Sequence, residues 1–459
     1  MSDQPGPSRE TDRPQRRATT ASQPPVVIVG AGMAGLVCAL SLHEIGQPVL
    51  LLEASDGAGG RIRTDRHPDG FLLDRGFQVL LDAYPAARRW IDHPALRPLP
   101  FDAGAMVWTG RRLTPLADPL RHPSAALRDA TSPVFGAADK LRLAKFGLRA
   151  LRAPWQSATD AAAESPGQLA SDALWAAGFS PHFVDRFARP FWGGILLNPS
   201  LSMDAGPLLF TLKMFMQGRA VLPADGVGAM PAQLAVRLPA DRIRFGARVQ
   251  SLLREGATVR GVRLADGEEI AAAAVVVATD PPAARHLTGI DALPNDERGL
   301  GSLTVYLAGE RDPGVGPRLV LDGTGRGTVN HLAPLSAAQP AYAPPGQHLL
   351  AAVVVGDNLA ADDDDLAERA RHDAATMLGQ EAGDWRILRV DRIPFSQFAQ
   401  PPGVYATLPR NATGETGLYL ATEATADSSY NGAIASGEGA ARAVLRDLSL
   451  RGLRRANDA

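Results

Sequence analysis

The first part of the chain alternates apolar runs with a glycine-rich turn. Val26–Val29 is a β-branched apolar run, typical of a strand that is buried on both faces. The glycines of residues 30–35 follow at once, and residues 34–45 have the composition of a helix that Gly46 ends. A second apolar strand is predicted over residues 48–52, and an acid follows it. The order strand, glycine turn, helix, strand, acid is that of a dinucleotide-binding unit.

Each residue type in this unit meets a need of a bound pyrophosphate. Gly30 permits the tight turn, Gly32 lets the backbone approach the anion, and Gly35 lets the helix lie close to the strand. The helix that starts at Ala34 presents free N–H groups and partial positive charge to the anion. Glu53 lies eighteen residues beyond Gly35, close to the usual spacing for a carboxylate that accepts from a ribose hydroxyl.

A second glycine turn follows this acid. Gly59 and Gly60 precede Arg61, whose guanidinium can bind a phosphate through two parallel donors. At this point the sequence resembles the family of flavin amine oxidases, protoporphyrinogen oxidases and phytoene desaturases, in which this element contacts the FAD pyrophosphate. The resemblance implies FAD as the cofactor. A non-covalent attachment is expected, because no cysteine lies near the C-terminal motif. The family often has an arginine where Ser55 and Asp56 stand here.

Further segments carry the same resemblance. Residues 74–78 resemble the family segment whose backbone passes near the isoalloxazine ring. Val249 lies in a segment that resembles the family strand whose backbone meets the adenine. A third, over residues 417–437, resembles the motif that brings an acid to the ribityl chain and starts a helix aimed at the flavin pyrimidine edge. The family usually has glycine before that acid, where this chain has Thr422. The cofactor-binding residues predicted in this way are Gly30, Gly32, Ala34, Gly35, Glu53, Gly59, Gly60, Arg61, Gly76, Phe77, Gln78, Val249, Glu423, Gly432 and Ala433.

These segments are far apart in the chain, so the FAD domain must be discontinuous. The resemblance implies an α/β fold, with a Rossmann-like FAD-binding domain and a second, α+β substrate-binding domain. Residues 242–278 read as a β-meander of the first domain. The predicted divisions are a disordered N-terminal segment at 1–24, the FAD domain at 25–82, 222–282 and 405–450, the substrate domain at 83–221 and 283–404, and a tail at 451–459.

Features of the predicted substrate domain indicate an apolar ligand. Phe191 and Trp192 lie in a stretch similar to the protoporphyrinogen oxidase and carotenoid desaturase branch, and both are candidates for the pocket or for the core. Tyr430, just before the predicted flavin helix, is a third pocket candidate. No second glycine fingerprint occurs, so oxygen, a quinone or another carrier is expected as electron acceptor rather than NAD(P). The predicted function is two-electron dehydrogenation of an apolar, isoprenoid or tetrapyrrole-like substrate by hydride transfer to flavin N5.

Three alternatives stay open. The first is an amine oxidase that uses O₂, although residues 283–404, where that family usually places a lysine beside N5, contain none. The second is a non-redox flavin isomerase. The third is a lipid-binding protein without flavin, as the Rab GDP-dissociation inhibitors resemble this fold. The intact glycine fingerprint argues against the third.

Composition and charge limit the classes of partner that are expected. With a net charge of −2, the chain is not expected to bind nucleic acid, and its single cysteine suits a reducing, cytoplasmic compartment. The histidines show no ligand spacing, so no metal is expected. Residues 111–152 hold nine basic and three acidic residues, a net of +6, which indicates either a solvated helix face or peripheral contact with anionic lipid. Arg16 and Arg17 are similar to a twin-arginine signal, but cleavage after them would destroy the glycine fingerprint. The oligomeric state is not predicted.

Overall fold

The structure is a computed structural model that describes residues 24–117 and 134–457. The predicted N-terminal segment as far as residue 23, residues 118–133 of the basic stretch and residues 458–459 of the predicted tail lie outside these ranges.

The strands within the described residues are, in chain order, β1 Val26–Val29, β2 Val49–Leu52, β3 Thr64–Arg66, β4 Leu72–Asp74, β5 Leu80–Leu81, β6 Leu99–Pro100, β7 Gly104–Trp108, β8 Leu113–Ala117, β9 Ala220–Leu222, β10 Ile243–Arg244, β11 Val249–Glu255, β12 Thr258–Leu264, β13 Glu269–Ala271, β14 Ala274–Val277, β15 Gly299–Gly309, β16 Leu319–Asp322, β17 His331–Pro334, β18 His348–Val355, β19 Arg386–Phe398 and β20 Leu418–Leu420. The helices, leaving aside short 3₁₀ turns, are α1 Met33–His43, α2 Pro85–Trp90, α3 Ala137–Arg152, α4 Ala158–Ala163, α5 Ala170–Ala176, α6 Pro181–Phe183, α7 Arg189–Ile195, α8 Ala205–Gln217, α9 Ala229–Ala235, α10 Pro281–Thr288, α11 Leu335–Ala338, α12 Asp363–Leu378 and α13 Tyr430–Asn457, with a π-helical turn at Val184–Ala188 between α6 and α7.

A parallel sheet holds the dinucleotide unit. Its strand order is β10-β2-β1-β14-β20, and every neighbouring pair runs parallel. Val26 and Ile28 of β1 pack with α1 and α13 on one face, whereas Val27 and Val29 pack against the small antiparallel sheet β11-β12-β13 on the other. Because both faces are covered, β1 is apolar at all four positions, as a parallel strand requires. The predicted strand, turn, helix and second strand are confirmed.

The predicted β-meander is only partly correct. Strands β11, β12 and β13 form the expected antiparallel sheet, but β10 and β14 belong to the parallel sheet instead. Strand β14 lies in that sheet beside β1 and is fully buried along its length. Its unbroken apolar run is the signature of a strand covered on both faces, which a solvent-facing meander does not provide.

A mixed seven-stranded sheet forms the second part of the molecule. Its order is β19-β15-β18-β17-β16-β7-β8, antiparallel except for the parallel pair β16–β7. Helix α12 covers one face, packing on Leu303, Val305 and Leu307. The alternate residues of β15, including Ser302 and Thr304, face a cavity on the other side. The α/β class, with parallel and antiparallel sheets, is confirmed, while the domain limits stay a prediction.

Helices α4, α7 and α8 border this cavity, and α3 packs on α8. Helix α3 covers the second half of the basic stretch noted in the sequence, at Ala137–Arg152. No helix among the described residues is both long and apolar enough to cross a bilayer.

Candidate active site

One cavity of about 600 Å³ is bordered both by residues beside the parallel sheet and by residues of the seven-stranded sheet. Its walls come from the N-terminal glycine turns, from the seven-stranded sheet and from the start of α13. The predicted site residues that border it are Gly30, Gly32, Ala34, Glu53, Gly59, Gly60, Arg61, Gly76, Phe77, Gln78, Phe191, Glu423, Tyr430 and Ala433. Segments more than 300 residues apart in the chain therefore meet around one space.

The two glycine turns lie against each other at one end of the cavity. The amide of Gly59 donates to the carbonyl oxygen of Ala31 at 2.8 Å. Gly30 and Gly59 have φ angles of +106° and +125°, which a residue with a side chain rarely adopts. A Cβ on Gly32 would meet no atom within 4 Å. Gly32 is the N-cap residue of α1, and because glycine has no side chain, no capping hydrogen bond is made from this position. An open surface of backbone at a helix N-terminus suits a diphosphate.

Glu53 lies at the end of β2 and borders the same space. One carboxylate oxygen accepts from the amide of Ala31 at 2.8 Å, and the other from the amide and hydroxyl of Ser55 at 2.9 and 2.8 Å. These contacts fix the carboxylate beside the glycine turn. A carboxylate has about four acceptor sites, so one more hydrogen bond, such as that of a ribose hydroxyl, can be accommodated.

Arg61 joins the N-terminal and C-terminal parts of the site. One of its guanidinium nitrogens contacts Glu423 at 2.6 Å, and another donates to the carbonyl oxygen of Ser396 at 2.9 Å. Glu423 is 5% exposed and follows β20. Since a guanidinium has five N–H donors, Arg61 keeps donors for an anion in the cavity.

The segment Gly76 to Gln78 is held from several sides. The amide of Phe77 donates to the Thr304 hydroxyl at 3.1 Å, and the side-chain amide of Gln78 donates to the carbonyl oxygens of Arg61 and Arg75. The hydroxyl of Tyr430 donates to the side-chain oxygen of Gln78. Tyr430 therefore borders the cavity and also ties the start of α13 to this segment.

A buried acid anchors the preceding strand. Asp74 is 2% exposed and accepts from the hydroxyls of Thr64 and Tyr342 at 2.5 and 2.7 Å and from the amide of Val227 at 3.0 Å. Burial raises the pKa of Asp74 to about 6, although these hydrogen bonds oppose the shift. These contacts hold β4 against residues from distant parts of the chain.

Four predicted site residues lie away from the cavity wall. Gly35 packs on the glycine turn, since a Cβ there would come within 1.9 Å of the Gly30 oxygen. Gly432 is similarly close to the backbone of residue 427, and Val249 begins β11. Trp192 is 1% exposed and stacks edge-on with Phe191 in the core, so of these two aromatics only Phe191 borders the cavity.

One part of the cavity, the apolar chamber, is lined mainly by hydrocarbon side chains. Its aliphatic and aromatic lining includes Leu81, Phe101, Ile195, Leu196, Leu197, Phe210, Phe215, Leu319, Leu321 and Val353. Phe191 lies 5.3 Å from Phe215 between ring centroids and joins this wall. All three lysines of the chain fall in the described residues and none borders the cavity; Lys213 donates instead to the carbonyl oxygens of Ala153 and Trp155 at 2.6 and 2.7 Å.

Asp427 and His331 also border the cavity, although the sequence analysis did not single them out as site residues. Asp427 is 1% exposed, accepts from the amide of Ala158 and the hydroxyl of Ser429, and has a pKa raised by burial. His331 is 5% exposed, and burial lowers its pKa to about 4. Neither residue could be identified from sequence spacing. Strand pairing brings His331 to the cavity, and Asp427 contacts the amide of Ala158, which is far from it in the chain. Among the described residues, no cluster of His, Cys, Asp or Glu is arranged to hold a metal ion.

Comparison with known proteins gives consistent matches. A family model described as flavin containing amine oxidoreductase matches residues 33–445. Hydroxyneurosporene desaturase of Cereibacter sphaeroides is 29% identical over 338 residues, which cover 65% of this chain and 65% of that protein. The chain thus spans about two thirds of the desaturase's length in the match. The 15-cis-phytoene desaturase of Solanum lycopersicum is 24% identical over 93% of this chain and 78% of its own.

Solved structures share the fold. A putrescine oxidase mutant has a TM-score of 0.68 at 16% identity, covering 93% of this chain and 99% of its own. Reduced UDP-galactopyranose mutase has a TM-score of 0.64 at 15% identity, covering 93% and 96%. At these identities the structures show the fold alone. The family match and the desaturase relatives confirm the resemblance drawn from the glycine and arginine motifs, the enzyme class and the FAD cofactor.

Proposed function

Because this chain belongs to the flavin containing amine oxidoreductase family, we propose that it catalyses FAD-dependent dehydrogenation of an apolar, isoprenoid or tetrapyrrole-like substrate. Two relatives are named as desaturases of hydroxyneurosporene and of 15-cis-phytoene, which favours the isoprenoid class. Bound FAD supplies the chemistry by accepting a hydride from a substrate carbon at N5, while the neighbouring carbon loses a proton and a C=C bond forms.

The chain's own residues are proposed to hold FAD along the polar half of the cavity. The turns at Gly32 and Gly60, with the guanidinium of Arg61, receive the pyrophosphate, and Glu53 receives the adenosine ribose. Glu423 receives the ribityl chain. The start of α13, where Ala433 borders the cavity, directs the positive end of the helix dipole to the pyrimidine edge. We propose the discontinuous FAD domain and the substrate domain with the limits drawn from the sequence.

The observation that carries the proposal is that one cavity joins the glycine turns to an apolar chamber. The lining of that chamber is aliphatic and aromatic around Phe191 and Phe210, so it is suited to exclude water and orient a hydrocarbon skeleton. Orientation and exclusion of water are what a flavoprotein must add to the cofactor's chemistry.

One observation favours amine oxidation as a second candidate. Asp427 borders the cavity and keeps a buried carboxyl group there, with which a substrate ammonium group could pair. Its two hydrogen bonds and raised pKa fit a structural role in the Ser428–Tyr430 turn equally well. Substrate panels separate the two.

The test is anaerobic reduction of the purified flavoprotein. A panel of acyclic polyenes is expected to abolish the visible flavin absorbance, and a desaturated product should appear by mass spectrometry. An amine panel should leave the absorbance unchanged. Bleaching by amines, with peroxide released when air is admitted, would replace the proposal with the amine oxidase alternative. Turnover that needs reduced flavin and consumes no acceptor would indicate the isomerase.

We also propose that α3 makes peripheral contact with an anionic membrane surface. Leu141 and Leu148 are 59% and 42% exposed, and Lys145 and Arg149 are exposed on the same helix. Helix α3 packs on α8, and α8 lines the apolar chamber. An exposed leucine stripe with basic neighbours suits an interfacial helix, and this position would bring a lipophilic substrate close to the chamber.

A further inference from the structure

The floor of the apolar chamber is one row of side chains across the seven-stranded sheet. Thr304 of β15 pairs with Val353 of β18, Val353 with His331 of β17, and His331 with Leu321 of β16. Directly paired residues of antiparallel strands point to the same face, and all four border the cavity. The Thr304 hydroxyl accepts from the Phe77 amide, so His331 is the polar group of this floor whose role is unassigned.

The hydrogen bonds around His331 define its tautomer. The side-chain nitrogen of Asn330 donates to the Pro190 carbonyl oxygen at 2.8 Å and lies 2.9 Å from Nδ1 of His331. An amide nitrogen has two hydrogens and cannot accept, so Nδ1 accepts and the ring proton is on Nε2. That Nε2–H has no hydrogen-bond partner within the described chain. Since burial lowers the pKa of His331 to about 4, the ring is neutral at pH 7.

The surrounding residues are shaped to keep this arrangement. A Cβ on Gly194 would come within 2.6 Å of the Asn330 nitrogen and 2.9 Å of His331 Nδ1, so glycine there makes room for the pair. The ring of Phe77 meets the imidazole edge-on, with 5.4 Å between centroids. His331 thus lies beside the segment that the resemblance places next to the isoalloxazine ring.

We propose that the Nε2–H of His331 donates a hydrogen bond to an oxygen atom of the substrate. The substrate class is then an apolar molecule with a hydroxyl, ether or carbonyl oxygen, rather than a plain hydrocarbon. This inference rests on the proposed dehydrogenation. The physical reason is that a buried donor without a partner discriminates strongly against ligands that lack the acceptor.

The experiment compares two acyclic polyenes that share a carbon skeleton, one with a hydroxyl group and one without. For the wild-type holoenzyme, kcat/KM for the hydroxylated polyene should exceed that for the hydrocarbon at least about tenfold. His331→Phe should bring the ratio close to one, and His331→Gln, which keeps an N–H donor, should restore part of it. His286→Phe, an exposed histidine on α10, is the matched control and should keep the wild-type ratio.

A readout independent of turnover is the ¹⁵N NMR spectrum of the histidines, in which His331→Phe identifies the His331 signals. They should show a proton on Nε2 and an unprotonated Nδ1. A proton on Nδ1, or equal use of both polyenes by the wild type, would overturn the inference while dehydrogenation itself stands. If neither polyene is dehydrogenated, the proposed function falls, and the inference about the substrate falls with it.

Discussion

Replacing Arg61 with alanine tests the centre of the proposed cofactor site. The change removes two hydrogen bonds, to Glu423 and to the Ser396 carbonyl oxygen, and leaves Glu423 buried without its cation. Breaking a fully buried pair costs about 3–5 kcal/mol. The Arg61 side chain is 35% exposed, so water relieves part of this cost. We therefore expect Arg61→Ala to lower the free energy of unfolding of the apoprotein by about 2 kcal/mol.

A second substitution separates stability from cofactor binding. Glu423→Gln removes the unpaired charge, so the double variant should regain about 1 kcal/mol over Arg61→Ala alone. The phosphate contact is not restored by that change. A charge-assisted hydrogen bond contributes about 1.5–3 kcal/mol, so FAD should bind about 10- to 100-fold more weakly to Arg61→Ala and remain weak in the double variant.

Two measurements check these values. Urea unfolding followed by circular dichroism gives the free energies, and quenching of flavin fluorescence gives the FAD affinity of the apoproteins. Arg386→Ala removes an arginine that pairs with Asp69 on the surface, so it is the control and should change neither quantity. Wild-type FAD affinity in Arg61→Ala would refute the pyrophosphate assignment. A double variant less stable than the single one would refute the ion-pair reasoning.

Three further predictions concern other parts of the molecule. Gly32→Ala should weaken FAD binding and leave the Tm of the apoprotein nearly unchanged, because the new Cβ enters the cavity and meets no atom of the protein. Gly35→Ala should lower the Tm, because its Cβ would lie 1.9 Å from the Gly30 oxygen. An equal decrease of the Tm in both variants would contradict this reasoning. The pKa of His331 is 6.5 in the unfolded chain and about 4 in the folded chain, so the unfolded chain binds this proton first as the pH falls. The free energy of unfolding should therefore decrease by about 3 kcal/mol between pH 6.5 and pH 4. Urea unfolding of His331→Phe over the same range should show a shallower decrease. Leu148→Gln should reduce co-sedimentation with vesicles containing phosphatidylglycerol, and wild-type co-sedimentation in that variant, or none in the wild type, would end the membrane proposal.

Local sequence determined the dinucleotide unit. Val26–Val29, the glycine turn and α1 are contiguous, and their backbone demands are met by the residues themselves. The positive φ of Gly30 and the close approach at Gly35 can be inferred from residue type, because few residues but glycine fit. The family motifs then extended the prediction to Arg61.

Strand partners required the tertiary structure. The sequence showed that residues 274–277 are apolar throughout, but an unbroken apolar run fits several neighbours. Only packing between the helices and the small antiparallel sheet set β14 beside β1. The wrong assignment of β10 and β14 to the meander followed from treating neighbours in sequence as neighbours in space.

The contacts that shape the site were likewise beyond the sequence. Arg61 meets Glu423 across 362 positions, and Tyr430 meets Gln78 across 352. His331 owes its place in the chamber to pairing with Val353 and its tautomer to Asn330. Residue types and local spacing define which groups are available for chemistry. Which of them share a cavity depends on long-range packing, because burial and pairing energies are summed over the whole fold rather than over a segment.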